Sequence, residues 1–128
     1  MSYDIDIMQE VLEEILDEID PDLFKGLNGG VILKEEIKYH KESINNDLVV
    51  LGEYTRFGVL KQIFVYYGSI KRLYPNFERQ ELKNRLRELI DHELRHHVEY
   101  RAGVNDLVRE DVEFIEKHKE KRGDLWMV

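Results

Sequence analysis

Apolar side chains near the start of the chain recur every three or four residues, a spacing typical of an amphipathic helix. Pro21 follows this stretch and would stop a helix there. The pattern therefore predicts an N-terminal helix over residues 4–19, with its apolar face made by Ile5, Met8, Val11, Leu12, Ile15, Leu16 and Ile19.

Three later stretches have the pattern of β-strands. Residues 31–40 alternate between apolar and charged side chains, as a half-buried strand does. Residues 48–56 and 62–67 are rich in β-branched and aromatic side chains, and Gly58 and Gly68 punctuate the turns after them. These segments are close enough in sequence to form one small sheet.

Helical spacing returns after Pro75 and predicts a long helix over residues 78–101, capped by Gly103. A last helix is predicted over residues 107–119. We therefore expect an α+β fold in a single domain, residues 1–128, with a three- to four-stranded mixed sheet packed on the long helix and with N-terminal and C-terminal helices.

The long helix carries the motif H-E-x-x-H in His92, Glu93 and His96. Residues four apart lie on one helix face, so the two imidazoles can hold one metal ion. A third ligand and a water molecule would complete a tetrahedral site, and Glu93 could take the water's proton. The alternative without a metal is that both histidines lie at the border of the apolar helix face and that Glu93 pairs with an Arg or Lys from elsewhere in the chain.

The position of Glu93 favours the metal site. On a helical wheel Glu93 falls inside the apolar arc of the helix, where a carboxylate is costly unless it meets a charge or strong donors. His97 also points toward this arc, and we expect it to be a neutral core histidine with a hydrogen-bond partner.

The order of these elements, with three short landmarks, resembles the bacterial minimal zincins, a family of small single-domain metallopeptidases. The landmarks are Leu-Gly-Glu-Tyr at residues 51–54, Ile-Phe-Val-Tyr at residues 63–66 and the doubled-histidine motif at residues 92–97. The resemblance implies a zincin-like fold, Zn²⁺ bound by His92 and His96, and Glu93 as the general base that activates the zinc-bound water. It also implies that an extended peptide substrate lies along an edge strand, which would be the strand around residues 63–67.

The third zinc ligand is harder to assign, because the family pattern continues H-E-x-x-H-x-x-G-x-x-D. Here Glu99 stands three residues after His96, and Gly103 to Asp106 supply the G-x-x-D four residues late. The resemblance makes Asp106 the third ligand if one helical turn is inserted before the glycine. Glu99 is the alternative ligand, or could orient His96, and Asp106 could instead cap the last helix.

Composition limits the other possibilities. The chain has no cysteine, which excludes thiolate zinc sites and thiol nucleophiles. Its net charge of −8 argues against nucleic acid as a main partner. The start of the chain lacks a secretory pattern and no apolar run reaches membrane length, so we expect a cytoplasmic protein with no membrane partner.

The sequence therefore predicts a zinc metallopeptidase that hydrolyses a peptide or unfolded protein substrate. Two alternatives stay open. One is a catalytically silent metal-binding interaction module, and the other is a non-haem iron protein that uses the same two histidines and a carboxylate.

Overall fold

The computed structural model describes residues 3–103 and the backbone of residues 125 and 126. This part of the chain has an α+β architecture, as predicted. The predicted C-terminal helix lies outside the described residues. The elements are α1 (Ile5–Glu18), a short 3-10 helix (Pro21–Phe24), β1 (Gly30–Lys34), β2 (Lys38–Tyr39), β3 (Val49–Val50), β4 (Gly52–Phe57), β5 (Leu60–Tyr66), α2 (Tyr67–Leu73), α3 (Arg79–Arg101) and β6 (Leu125–Trp126).

Helix α1 begins where the sequence predicts it. The Asp4 side chain accepts a hydrogen bond from the backbone N–H of Ile7 at 2.9 Å, which satisfies one of the amides that a helix start leaves unpaired. The apolar face of α1 is buried in the core through Met8, Val11, Leu12 and Ile15.

The strands form two small sheets rather than one. The first has the order β1-β5-β4, with β5 parallel to β1 and antiparallel to β4. The second has the order β2-β3-β6. The single strand predicted over residues 31–40 is therefore wrong: it is divided into β1 and β2, because the chain between them crosses the start of α2. There the Gly68 amide donates to the Glu35 carbonyl at 3.1 Å.

The strand around residues 63–67, which was predicted to lie at the edge of the sheet, is the central strand β5. β5 has a neighbour on each side, and among the described residues the edges of this sheet are β1 and β4. The error arises because β1 pairs with β5 in parallel across about thirty residues of chain, for example Val31 with Ile63, a contact that local patterning does not reveal. The strand next to the H-E-x-x-H helix is β4.

Helix α2 is absent from the sequence prediction, which ended a strand at Tyr67. It begins directly after β5 without a side-chain cap. A Cβ on Gly68 would stand only 2.7 Å from the backbone of Glu36 and Ile37, so a glycine is needed for the two segments to pass each other.

Helix α3 is bounded almost as predicted. Glu78 and Glu81 form a reciprocal capping box at its start, where the Glu78 amide donates to the Glu81 carboxylate at 2.9 Å. At its end Gly103 adopts a φ of +79°, the left-handed conformation expected of a glycine after a helix. Within the described part of the chain, no helix is long and apolar enough to cross a membrane.

Helix α3 packs closely on β4 because Gly52 has no side chain. A Cβ at this position would lie 2.9 Å from the Phe64 carbonyl oxygen and 3.0 Å from a Leu89 methyl carbon. The glycine therefore lets the helix backbone approach the strand, which brings the H-E-x-x-H motif against β4.

A polar cluster on the other face of the sheet joins β2, β4 and β5. The Glu53 carboxylate accepts from the Tyr66 hydroxyl at 2.6 Å and pairs with the Lys38 ammonium. Tyr66 is 4% exposed. Burial, the hydrogen bond to Glu53 and the charge of Glu53 all raise the pKa of Tyr66 far above its ordinary value.

Tyr66→Phe should therefore reduce the sensitivity of the fold to alkali. Because the pKa of Tyr66 is higher in the folded than in the unfolded chain, its contribution to stability is complete below about pH 10 and is lost as the pH rises further. We expect urea unfolding to show a shallower loss of stability between about pH 10 and pH 11.5 in the variant. Tyr39→Phe, which alters an exposed tyrosine, should keep the wild-type slope; equal slopes in Tyr66→Phe and wild type would contradict this role.

Candidate metal centre

His92 and His96 present their ring nitrogens to one point on the surface of α3. Their Nε2 atoms are 3.2 Å apart and their rings are nearly perpendicular, at 89°. His96 is 8% exposed and His92 is half-buried. The helical spacing of the motif therefore produces the convergence that the sequence predicts.

The separation of these nitrogens fits a tetrahedral zinc site. Two nitrogens that are each about 2.05 Å from one ion, at the tetrahedral angle, lie about 3.3 Å apart. The two Nε2 atoms, at 3.2 Å, are close to this separation and form a hydrogen bond with each other when one of them carries the proton.

Glu93 is completely buried between α3 and β4. Its Oε1 atom accepts a hydrogen bond from the backbone N–H of Tyr54 at 3.1 Å. A buried carboxylate is costly, and a backbone amide offsets part of this cost while fixing the side chain in one orientation. The predicted general base is thus held in place next to the two histidines by the edge strand.

The hydrogen-bonding pattern of β4 determines which of its backbone groups face away from the sheet. The Tyr66 amide donates to the Leu51 carbonyl at 2.9 Å, so residues 51, 53 and 55 bond to β5. The backbone groups of Tyr54 and Arg56 therefore point away from β5. The Tyr54 amide donates its hydrogen bond to Glu93, so the carboxylate lies at the outer edge of β4.

His97 is a buried structural histidine, as predicted. It is 0% exposed, and its Nε2 lies 2.8 Å from the Lys25 carbonyl oxygen, which can only accept. Nε2 therefore carries the proton, and Nδ1 accepts from the Tyr54 hydroxyl at 2.7 Å. Burial lowers the pKa of His97, which favours this neutral form; the hydrogen bond to the Lys25 carbonyl acts in the opposite direction, and the charges of Arg101 and Lys61 lower the pKa further.

Tyr54 is the residue whose importance sequence reasoning missed. Its amide holds Glu93 and its hydroxyl holds His97, so one residue connects the edge strand to two positions of α3. The only signal in the sequence was its place in the Leu-Gly-x-Tyr landmark.

The third metal ligand stays a prediction. Asp106 lies outside the described residues. Glu99 is half-buried on α3, and within residues 3–103 no group of three or more His, Asp or Glu side chains is placed to hold a metal ion. In the described part of the chain, the site thus consists of two imidazoles and the neighbouring carboxylate of Glu93.

Comparison with solved structures gives a similar fold in a conserved hypothetical protein from Thermo thermophilus. The TM-score is 0.68 and the sequence identity is 28%, and the match covers 78% of this chain and 98% of that chain. No protein-family model matches the chain, and no curated protein matches it. The comparisons therefore support the fold, and the chemistry has to be argued from the site.

Proposed function

We propose that this protein is a zinc-dependent peptidase of zincin type, related to the minimal zincins. The observation that carries the proposal is the 3.2 Å separation of the His92 and His96 Nε2 atoms, beside the buried carboxylate of Glu93. Zinc-like nitrogen spacing, an adjacent base and an edge strand occur together at one place in the fold.

His92 and His96 would hold the metal, and a third ligand would come from Asp106 or Glu99. A bound Zn²⁺ supplies Lewis acidity, which makes a water molecule more acidic and polarises the carbonyl that the water attacks. The donor set fits zinc, since imidazole nitrogen and carboxylate oxygen are both ordinary zinc ligands.

Glu93 would move the proton. Its carboxylate takes a proton as the water oxygen bonds to the carbonyl carbon, and then gives that proton to the amine nitrogen as the C–N bond breaks. The hydrogen bond from the Tyr54 amide keeps Oε1 fixed, which reduces the reorganisation that each transfer requires.

The outer edge of β4 would bind the substrate. The backbone groups of Arg56 and the carbonyl of Tyr54 point away from β5 and could pair with an extended peptide. Such a peptide would pass directly beside Glu93. Pairing of this kind recognises main-chain groups of an extended peptide more than its side chains. The substrate class would therefore be an unfolded segment of polypeptide.

The first test is the zinc content of the purified protein, together with hydrolysis of an unfolded protein such as casein. We expect about one zinc per chain, and hydrolysis that a chelator stops. His92→Ala should lose both, because a single imidazole binds zinc too weakly. His40→Ala is the matched control, since His40 accepts a local hydrogen bond from the Glu42 amide in a turn outside α3; it should keep both properties.

The same measurements identify the third ligand and the alternative functions. Loss of zinc in only one of Asp106→Ala and Glu99→Ala would assign the ligand. Bound iron in place of zinc would indicate the non-haem iron protein, and stoichiometric zinc without hydrolysis would indicate a silent metal-binding module. Absence of any metal after zinc is added back would contradict the proposal.

A further inference from the structure

A cationic cluster lies one helical turn beyond the two histidines. The Arg56 guanidinium is 3.9 Å from the centre of the Tyr100 ring, and the Lys61 ammonium is 5.9 Å from it. Tyr100 is 42% exposed and Arg56 is also exposed. The ring favours this position of the guanidinium without neutralising its charge.

Arg56 and Tyr100 lie on the same two elements as the candidate site, β4 and α3, and Lys61 lies opposite Arg56 on β5. Tyr100 follows His92 and His96 at four-residue intervals, so all three side chains lie along one face of α3. Arg56 is two residues beyond Tyr54 on β4, or about 7 Å along the strand. A peptide lying on the edge of β4 beside Glu93 would therefore reach this cluster.

The charge of the cluster is opposite in sign to the net charge of the chain. The net charge of the protein is −8. Three acidic side chains of α1, Glu10, Glu14 and Glu18, pair with cations in the first half of α3, which are Arg79, Lys83 and Arg87. Within residues 3–103, no carboxylate forms an ion pair with Arg56 or Lys61.

The electrostatics around Tyr54 and His97 are consistent with a positive region. The charges of Arg56 and Arg101 act to lower the pKa of Tyr54 against the larger effect of burial, which raises it. Arg101 and Lys61 act in the same way on the pKa of His97. Tyr54, which supports Glu93, and its partner His97 thus both lie within the field of these cations.

From this geometry we infer that Arg56, with Tyr100 and Lys61, forms a carboxylate-binding subsite that selects substrates with an anionic group near the cleaved bond. The inference rests on the proposed peptidase function and names its preferred substrate class. Arg56 would contact the substrate carboxylate, Lys61 would add positive charge, and Tyr100 would hold the guanidinium in place.

The carboxylate could come from an acidic side chain or from the end of a peptide, and strand direction separates the two. In a substrate antiparallel to β4, the residues near Arg56 precede the cleaved bond, so the anion is an Asp or Glu side chain about two residues before it. In a parallel substrate they follow it, and a terminal carboxylate could also reach Arg56.

The test maps every cleavage in casein by mass spectrometry for the zinc-loaded wild type and for Arg56→Glu. Wild type should favour Asp or Glu near the cleaved bond, and Arg56→Glu should lose this preference in favour of Lys or Arg. Matched peptides with Glu or Gln at that position should differ in kcat/KM by roughly fivefold, the size expected for an exposed ion pair. A further pair of peptides, which differ only in ending with a carboxylate or an amide, tests whether a C-terminal carboxylate binds at Arg56.

Two variants control for effects on folding. Arg56→Lys keeps the charge and should retain part of the preference. Arg72→Glu alters another arginine that lies over a tyrosine, on α2 and 5.5 Å from the Tyr39 ring, and should leave the preference unchanged. Identical cleavage profiles for Arg56→Glu and wild type would overturn the inference.

A direct binding measurement separates this inference from the peptidase proposal. If wild type hydrolyses nothing, N-acetylglutamate amide and N-acetylglutamine amide are titrated into the protein and the Tyr100 ring is followed by NMR. Shifts with the acidic ligand alone, absent in Arg56→Glu, would support the subsite even where the peptidase proposal has failed. Equal shifts with both ligands would overturn the subsite.

Discussion

Replacing Glu93 with glutamine is expected to lower the rate of hydrolysis by about 10²–10⁴-fold, the usual contribution of a general base, while zinc binding is retained. Glutamine has nearly the same shape and keeps an oxygen that can accept from the Tyr54 amide, but it cannot take a proton. Zinc content and kcat are measured on the same samples. An active Glu93→Gln variant would remove Glu93 from the mechanism.

The same substitution has a second expected result that separates catalysis from folding. Glu93 is a fully buried carboxylate, and neutralising a buried charge while keeping the hydrogen bond from the Tyr54 amide often preserves or raises stability. Metal-free Glu93→Gln should therefore unfold at a urea concentration no lower than that of metal-free wild type. Glu88→Gln, on the exposed side of α3, is the matched control: it should leave activity unchanged and cost at most about 1 kcal/mol, through its ion pair with Arg85.

The parts of the fold that sequence patterning predicted are those determined by local interactions. Helix α3 is an example, because its capping box, its apolar spacing and its terminal Gly103 all act within a few residues of one another. The convergence of His92 and His96 also follows from helix geometry. For this reason the core of the candidate site could be located before any tertiary contact was known.

The parts that could not be predicted depend on contacts between distant residues. The central position of β5 arises from its parallel pairing with β1, which no short-range pattern encodes. The hydrogen bonds that Tyr54 makes with Glu93 and His97 join residues that are 39 and 43 positions apart. The sequence thus indicated which residues carry the proposed chemistry, and tertiary structure showed what holds them.

His97→Ala is expected to lower the free energy of unfolding by about 3–4 kcal/mol, through lost packing and two broken hydrogen bonds. The imidazole is fully buried, and its loss leaves the Lys25 carbonyl and the Tyr54 hydroxyl without their partner. Urea unfolding of the metal-free protein measures the change. His40→Ala, which removes a histidine from a turn, should cost less than about 1 kcal/mol.

Two further variants show whether His97 also positions Glu93. His97→Gln can still donate to the Lys25 carbonyl and accept from Tyr54, so it should recover part of the stability. Tyr54→Phe removes only the hydroxyl and should cost about 1–2 kcal/mol, while its amide still donates to Glu93.

If His97 acts through β4, folded His97→Ala at low temperature should keep its zinc but have a lower kcat, because β4 would be held less firmly against α3 and the Tyr54 amide would fix the base less well; Tyr54→Phe should then lower kcat in the same direction. Loss of zinc from folded His97→Ala would instead make His97 part of the metal site. An unchanged kcat would limit His97 to stabilising the fold, since Glu93 would then be positioned without it.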